Sequence, residues 1–127
     1  MEQYLLDTHI ILWFFQGNLG LPKDICTIIE TKRCFYSHIS LWEIAIKQKL
    51  NKLDPSFTIP ELEFMCMKAN MSAVPISSDC IEMTKSLPLI HRDPFDRLLI
   101  AQAKASDLTL ITKDMFIPQY NVKTLWF

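Results

Sequence analysis

The sequence predicts an α/β protein, built as a three-layer α/β/α sandwich around a mainly parallel sheet of four or five strands. Short apolar runs alternate along the chain with longer segments of helical periodicity, and strands that alternate with helices imply a parallel sheet covered on both faces. Half of the residues are hydrophobic and 21% are charged, which excludes a disordered chain. A length of 127 residues fits one core, so we expect residues 1–127 to form a single domain.

The first half of the chain predicts two strands and three helices. The strand "YLL" ends at Asp7, and "THIILWFF" then predicts a helix that breaks at the loop Gly17–Gly20. The next helix is predicted in "LPKDICTIIETK", with Pro22 at its first helical position. The run "CFYS" predicts a short buried strand. In "SLWEIAIKQKL", Ser40 followed by Glu43 predicts a helix that starts with a capping box.

The second half predicts a similar alternation. A helix is predicted in "IPELEFMCMKAN", with Pro60 near its start, and a strand in "SAVPI". The next helix, in "SSDCIEMTKSL", is capped by Ser77 or Ser78. In "DPFDRLLIAQAKAS" we expect Asp93 at the N-cap and Pro94 in the first turn. The runs "LTLIT" and "NVKTLWF" predict the last two strands.

Composition limits the functions that the chain can have. Thirteen basic and fourteen acidic residues give a formal charge of -1, so any nucleic-acid role needs a local basic patch or a bound cation. Two glycines exclude a glycine-rich phosphate loop. The four cysteines form no CxxC pair, which predicts reduced thiols rather than a zinc site. The N-terminal residues predict neither a signal peptide nor a membrane span, so we expect a soluble cytoplasmic protein.

Acidic residues follow or flank several of the predicted strands. Asp7 and Asp114 close two of them, Glu43 lies in the helix after "CFYS", and Asp93 and Asp96 begin a later helix. Sites in parallel α/β sheets form beyond the carboxyl ends of the strands, so these carboxylates converge on one edge. Clustered acids resist ionisation unless a cation compensates them. Oxygen ligands of this kind suit Mg²⁺ or Mn²⁺.

Each of these acids also has a structural explanation when it is considered alone. Glu43 could complete a capping box or form an ion pair one turn along its helix. Asp93 could be an N-cap, and Asp96 could be favoured by the helix dipole. Asp114 could be a turn residue. Asp7 is the hardest to explain in this way, because an ionised carboxylate between apolar segments is costly without a partner.

Four stretches of the chain resemble the four acidic motifs of PIN-domain ribonucleases, and in particular of VapC-type toxins of bacterial toxin–antitoxin pairs. The stretches are "YLLDTHIILW", "SLWEIAIK", "HRDPFDRLLIAQA" and "LTLITKD", and they occur in the same order and spacing. The resemblance implies a PIN-like fold over nearly the whole chain. It places four residues at the acidic positions: Asp7, Glu43, Asp96 and Asp114. It also implies supporting roles for three neighbours: Thr8, Thr112 and Asp93.

The function implied by this resemblance is metal-dependent cleavage of RNA. One or two Mg²⁺ or Mn²⁺ ions would be held by Asp7, Asp96 and Asp114, and activated water would attack an RNA phosphodiester in line. Glu43 would orient this water or act as a base. The family also implies a homodimer and an antitoxin protein whose tail fills the active-site groove. Four basic residues are candidates for contacts with the RNA: His91, Arg92, Arg97 and Lys47.

Three other classes compete with this interpretation. A response-regulator receiver needs a phospho-accepting aspartate after its middle strand, and neither "YSHIS" nor "PISSD" supplies one convincingly. A haloacid-dehalogenase-type phosphatase needs an aspartate two residues after Asp7, where this chain has His9. The third alternative is a catalytically silent PIN-like binding module that acts through protein or RNA contacts. The intact set of acids argues against this module.

Overall fold

The computed structural model describes residues 2–17, 20–90 and 92–126. Within these residues the chain forms five strands and six α-helices. The strands are β1 (Tyr4–Leu6), β2 (Cys34–Ser37), β3 (Ser72–Val74), β4 (Thr109–Ile111) and β5 (Thr124–Leu125). The helices are α1 (Thr8–Gln16), α2 (Lys23–Thr31), α3 (His38–Lys49), α4 (Ile59–Lys68), α5 (Ser78–Met83) and α6 (Pro94–Ala105). Short 3₁₀ turns follow at Thr84–Ser86 and Ile117–Gln119.

The five strands form one sheet in the order β3-β2-β1-β4-β5. All four strand pairings are parallel, because each strand is followed by a crossover rather than by a hairpin. Leu5 in the central strand lies opposite Phe35 of β2 and Leu110 of β4. The predicted four- to five-stranded, mainly parallel sheet is therefore confirmed.

Helices cover both faces of the sheet, which gives the predicted three layers. Successive residues of a strand point to opposite faces, and all residues of β1 and β4 are buried. Leu6 and Ile111 contribute to one core, with α1, α2 and α4. Leu5 and Leu110 contribute to the other, with α5 and α6.

Several predicted helix boundaries agree with the structure. Asp93 is the N-cap of α6, where its Oδ1 accepts a hydrogen bond from the backbone N–H of Phe95 at 2.8 Å. Ser77 rather than Ser78 caps α5, through a 3.2 Å bond from the N–H of Cys80. Helix α1 ends at Gly17, which has a φ of +64°, a conformation that costs glycine little.

The predicted capping box at Ser40 and Glu43 is wrong. Helix α3 begins at His38, directly after β2, and Ser37 is its N-cap, with its hydroxyl accepting a hydrogen bond from the N–H of Ile39 at 3.1 Å. Ser40 therefore lies within the first turn and is fully buried. Glu43 lies in the second turn and does not cap the helix. Its side chain instead lines the cavity described below.

Prolines mark three helix starts, and one of these starts was predicted one residue too early. Pro60 is the second residue of α4, and Pro94 is the first residue of α6. Pro22, expected at the first helical position, is instead the N-cap before α2. No helix in the described part of the chain is long and apolar enough to cross a membrane, and all four cysteines are free.

Candidate active site

A cavity of about 530 Å³ lies at the carboxyl edge of the sheet, next to the ends of β1 and β4. It brings together acids from four separate segments of the chain. Its lining residues are Asp7, His9, Ile10, Trp13, Glu43, Lys47, Asp93, Asp96, Lys113 and Asp114. The four predicted acidic positions, Asp7, Glu43, Asp96 and Asp114, therefore border a single cavity, although their catalytic roles stay predictions.

Asp7 lies directly after β1 and is fixed by hydrogen bonds at its backbone N–H and at both of its carboxylate oxygens. Its backbone N–H donates to the carbonyl of Ile111 at 3.0 Å, which continues the pairing of β1 with β4. Its Oδ1 accepts a 2.7 Å bond from the N–H of Thr8, and its Oδ2 accepts a 2.7 Å bond from the hydroxyl of Thr112. Because Asp7 is only 6% exposed, these donors hold its carboxylate in one orientation.

Glu43 is fixed to Asp7 through a shared neighbour, Thr8. The N–H of Thr8 bonds Asp7, and its hydroxyl donates to Oε1 of Glu43 at 2.7 Å. The second oxygen of Glu43, Oε2, lies 2.9 Å from Nζ of Lys47, one turn further along α3. The hydroxyl of Ser40 lies 2.9 Å from that of Thr8. Glu43 is 4% exposed, so this network replaces the solvent that its carboxylate has lost.

Asp114 lies in the loop after β4 and is positioned by Thr112. The hydroxyl of Thr112 accepts a 3.0 Å bond from the N–H of Asp114 while it donates to Asp7. One oxygen of Asp114 accepts a 2.7 Å bond from the N–H of Phe116. A single threonine thus links the acids that follow two neighbouring strands, β1 and β4.

Asp93 and Asp96 occupy different positions at the start of α6. Oδ1 of Asp93 caps the helix and lies 2.8 Å from the N of Phe95 and 3.4 Å from the N of Asp96. Asp96 is the third helical residue, as predicted, and lines the cavity. The buried amide of Gln102 steadies the same helix, because its Oε1 accepts a 2.6 Å bond from the hydroxyl of Ser37.

The electrostatics of the cavity resist full ionisation of its acids. Burial, followed by the nearby carboxylates of Asp7, Asp93, Glu43 and Asp114, raises the pKa of Asp96 to about 8. Burial also raises the pKa of Asp7, although its bonds from Thr112 and Thr8 oppose this effect. Acids that share a site behave in this way until a cation or a proton compensates them.

The chemistry of the cavity fits a divalent cation with a largely hydrated shell. Carboxylate oxygens are the ligands that Mg²⁺ and Mn²⁺ prefer. Among residues 2–17, 20–90 and 92–126, no group of three or more His, Cys, Asp or Glu side chains is placed to hold a metal ion. Mg²⁺ does not require so many protein ligands, since it usually keeps several waters and takes one or two carboxylates.

The predicted RNA-binding residues are placed differently from one another. Lys47 lines the cavity and pairs with Glu43. Arg97 does not point there: its guanidinium donates to the carbonyls of Thr84, Leu87 and Pro88, at 2.7, 3.1 and 2.8 Å. These bonds support a structural role for Arg97, which ties α6 to the segment after α5, and its expected RNA contact stays a prediction.

Of the two remaining candidates, the structure describes only Arg92. Arg92 is exposed and is not among the residues that line the cavity. His91 lies outside the residues that the structure describes.

Sequence reasoning missed four side chains that line the cavity: His9, Ile10, Trp13 and Lys113. His9 and Trp13 follow Asp7 on α1 by two and six residues, and Lys113 directly precedes Asp114. Helical spacing offered a signal, because residues four apart lie on one face of a helix. The apolar context of "THIILWFF" instead favours a place for Trp13 mainly in the core.

Comparisons with known proteins agree with this architecture. The family model described as the PIN domain matches residues 4–121. No curated protein matches the chain significantly in sequence.

Solved structures of bacterial toxin–antitoxin complexes share the fold. VapBC2 from Rickettsia felis, bound to a promoter DNA fragment, superposes with a TM-score of 0.71 at 14% identity, over 97% of each chain. VapBC-1 from nontypeable Haemophilus influenzae gives 0.68 at 17% identity, over 97% of this chain and 96% of that one. DNA-bound VapBC from Salmonella typhimurium gives 0.66 at 12% identity, over 98% of each. Together with the family match over most of its length, the fold and the acidic cavity show that this chain belongs to the PIN domain family.

Proposed function

We propose that residues 1–127 act as a single domain, a metal-dependent endoribonuclease that cleaves RNA phosphodiester bonds. We further propose that the protein is a VapC-type toxin of a toxin–antitoxin pair and acts in the cytoplasm. The observation that carries the proposal is the joint placement of Asp7, Glu43, Asp96 and Asp114 around one open cavity. Membership of the PIN domain family, whose nucleases generally use divalent metals, supports the same chemistry.

The proposed cofactor is one or two ions of Mg²⁺ or Mn²⁺, held by Asp7, Asp96 and Asp114. When bound, it would supply a hard positive charge that lowers the pKa of water and offsets charge on the reacting phosphate. The chain itself prepares this site. Thr8 and Thr112 fix both oxygens of Asp7 at 2.7 Å, so the carboxylate needs little reorganisation. Burial and then the neighbouring carboxylates raise the pKa of Asp96, and the negative potential of those carboxylates would attract the cation.

Glu43 is the proposed positioning group for the attacking water. Its Oε1 is anchored by the hydroxyl of Thr8 and its Oε2 by Nζ of Lys47. A carboxylate oxygen has two lone pairs, so Glu43 retains capacity to accept a hydrogen bond from water in the cavity. Lys47 supplies positive charge at the cavity wall, where it offsets part of the repulsion between the acids and RNA phosphates.

The alternative function is a catalytically silent PIN-like module that binds RNA or protein. This module would have no need for four carboxylates around one cavity, of which Asp7, Glu43 and Asp114 each accept hydrogen bonds from neighbouring donors. The two functions differ in one observable, the cleavage of RNA.

A cleavage assay with matched variants tests the proposal. Labelled single-stranded RNA of mixed sequence is incubated with the wild type, Asp7→Asn or Asp54→Asn, in Mg²⁺, Mn²⁺ or EDTA. Asp54 is exposed and lies outside the cavity, so its variant controls for the loss of a surface carboxylate. We expect cleavage by the wild type and by Asp54→Asn, in metal only, and none by Asp7→Asn.

Three outcomes would contradict the proposal. Cleavage that persists in EDTA, or an active Asp7→Asn protein, would remove the metal and the acids from the mechanism. RNA binding without cleavage under all metal conditions would support the silent module instead.

The proposed partners are a second copy of the chain and a cognate antitoxin. Large apolar side chains are exposed on two helices: Trp42 on α3 and Phe64 and Met67 on α4, each about 60% accessible. Exposed apolar surface of this kind commonly marks contact sites. The structural relatives were solved as toxin–antitoxin complexes, which supports an antitoxin partner. A stable monomer in light scattering at micromolar concentration would contradict the homodimer and leave the nuclease proposal intact.

A further inference from the structure

We propose that His9, Trp13 and Lys113 form a binding wall for one nucleobase of single-stranded RNA and its neighbouring phosphate. These three side chains, called here the aromatic wall, line the same cavity as the acids. The inference rests on the proposed function, because it names how that site would hold its substrate. It assigns the residues a positioning role rather than a part in bond cleavage.

The geometry of helix α1 builds the aromatic wall. His9 and Trp13 are four residues apart and therefore lie on one face of the helix. Their ring centroids are 6.1 Å apart, with an interplanar angle of 53°. Behind Trp13, the ring of Trp126 packs at 6.4 Å. Trp13 is half-buried and anchored to the core, whereas His9 is exposed, so the wall combines a rigid platform with an accessible edge.

Lys113, which also lines the cavity, lies over one face of the Trp13 ring. Its ammonium lies 5.5 Å from the ring centroid, a cation–π distance. Lys113 itself is exposed, so this ring face is reached by a flexible surface side chain and is not covered by the core. A planar ligand can take that face while the ammonium moves aside to a flanking phosphate.

The chemistry of the wall favours a nucleobase over other ligands. Unpaired bases stack on tryptophan and histidine rings, and this recognition is tolerant of sequence. An ammonium group beside the rings complements the phosphate that accompanies each base. The chain carries a formal charge of -1 and its cavity is lined by five acids, so stacking provides affinity that overall charge cannot. Bases of a duplex are already stacked, which restricts the wall to single strands.

An abasic scan combined with variants tests this inference. Binding of a labelled, nuclease-resistant phosphorothioate oligoribonucleotide is measured by fluorescence anisotropy in Mg²⁺ buffer. The same oligonucleotide is then used with one abasic ribose placed at each position in turn. For the wild type we expect one position at which loss of the base weakens binding by about 5- to 100-fold, the range of a stacking contact.

The variants assign that contact to the wall. The Trp13→Leu protein should bind the intact oligonucleotide more weakly by a similar factor. Removing the base at the sensitive position should then weaken its binding no further. Trp13→Phe retains a ring and should keep most of the response. Because Trp13 also contacts the core, the exposed His9→Ala variant provides a second test that does not threaten folding.

The Lys113→Ala variant is expected to change the salt dependence of RNA binding. Removing one phosphate contact should reduce the slope of log Kd against log salt by about 0.7. Lys104 is exposed in the last turn of α6 and lines a separate cavity, so Lys104→Ala should leave this slope unchanged.

The outcomes separate this inference from the proposed function. A wild type that binds RNA without any sensitive abasic position, or a Trp13→Leu protein that responds as the wild type does, would overturn the aromatic wall alone. Variants that lose binding to a protein partner but keep the full RNA response would overturn it and assign the surface to that partner. A wild type that neither binds nor cleaves RNA would overturn both.

Discussion

Replacing Asp96 by asparagine should stabilise the protein in the absence of metal, by an amount that grows as the pH rises. The pKa of Asp96 is raised from 3.8 to about 8 by burial and by four neighbouring carboxylates. The folded protein therefore holds a proton that the unfolded chain releases at lower pH. A group of this kind contributes stability below pH ~4 that is progressively lost up to pH ~8. Asparagine does not ionise, so the variant avoids this loss.

The size of the effect follows from the same values. One pKa unit corresponds to about 1.4 kcal/mol, so the rise in the pKa of Asp96 sets an upper limit of roughly 5–6 kcal/mol at pH ~8. Asp96 is partly accessible to solvent, and rearrangement of the cavity reduces the penalty. We expect a gain of about 1–3 kcal/mol at pH ~8, and almost none at pH ~4.

Urea unfolding in EDTA, at several values of pH, measures this gain directly. The matched control is Asp24→Asn, which removes an exposed aspartate from the first turn of α2, outside the cavity. The control should show no comparable gain with pH. A gain for Asp96→Asn that does not change with pH, or a variant less stable than the wild type at pH ~8, would refute the electrostatic description of the cavity.

Three further substitutions have distinct expected outcomes. Asp93→Ala removes the N-cap of α6 and should cost about 0.5–2 kcal/mol of unfolding free energy, with RNA cleavage reduced but measurable. Arg97→Ala removes hydrogen bonds to three backbone carbonyls and should cost about 2–4 kcal/mol, while kcat/KM of the folded fraction changes little. A large loss of kcat/KM without destabilisation would support Arg97 as a substrate contact. Gly17→Ala, at a φ of +64°, should cost about 1 kcal/mol in thermal or urea unfolding; an unchanged melt would contradict this backbone assignment.

The fold was predictable because each local pattern agrees with the global architecture. Apolar strands alternate with helices that begin at recognisable caps such as Ser77 and Asp93. This alternation is typical of a parallel sheet. Asp7 and Asp114 were predicted to close two strands at one edge of the sheet. The strands that they follow, β1 and β4, do pair with each other. The start of α3 was less predictable, because Ser37 and Ser40 both fit a cap and only the length of β2 decides between them.

Side-chain directions at the cavity were harder to infer from sequence. Arg97 directly follows Asp96, but each residue of a helix turns by about 100°, which sends its guanidinium to the segment after α5. Trp13 and Lys113 are 100 residues apart in sequence and meet only because β1 and β4 are neighbours in the sheet. No local pattern reports such a contact.

The central claim is that carboxylates from separate segments of the chain bind divalent cations, one or two ions, in a shared cavity. Titration of the metal-free protein with Mn²⁺ in a calorimeter tests it most directly, with Asp7→Asn, Asp96→Asn and the exposed-site control Asp54→Asn measured in parallel. We expect one or two binding sites in the wild type and in the control, and at least tenfold weaker binding in both cavity variants, in line with the loss of a metal ligand. Binding that is absent from the wild type, or equal in all four proteins, would contradict the claim.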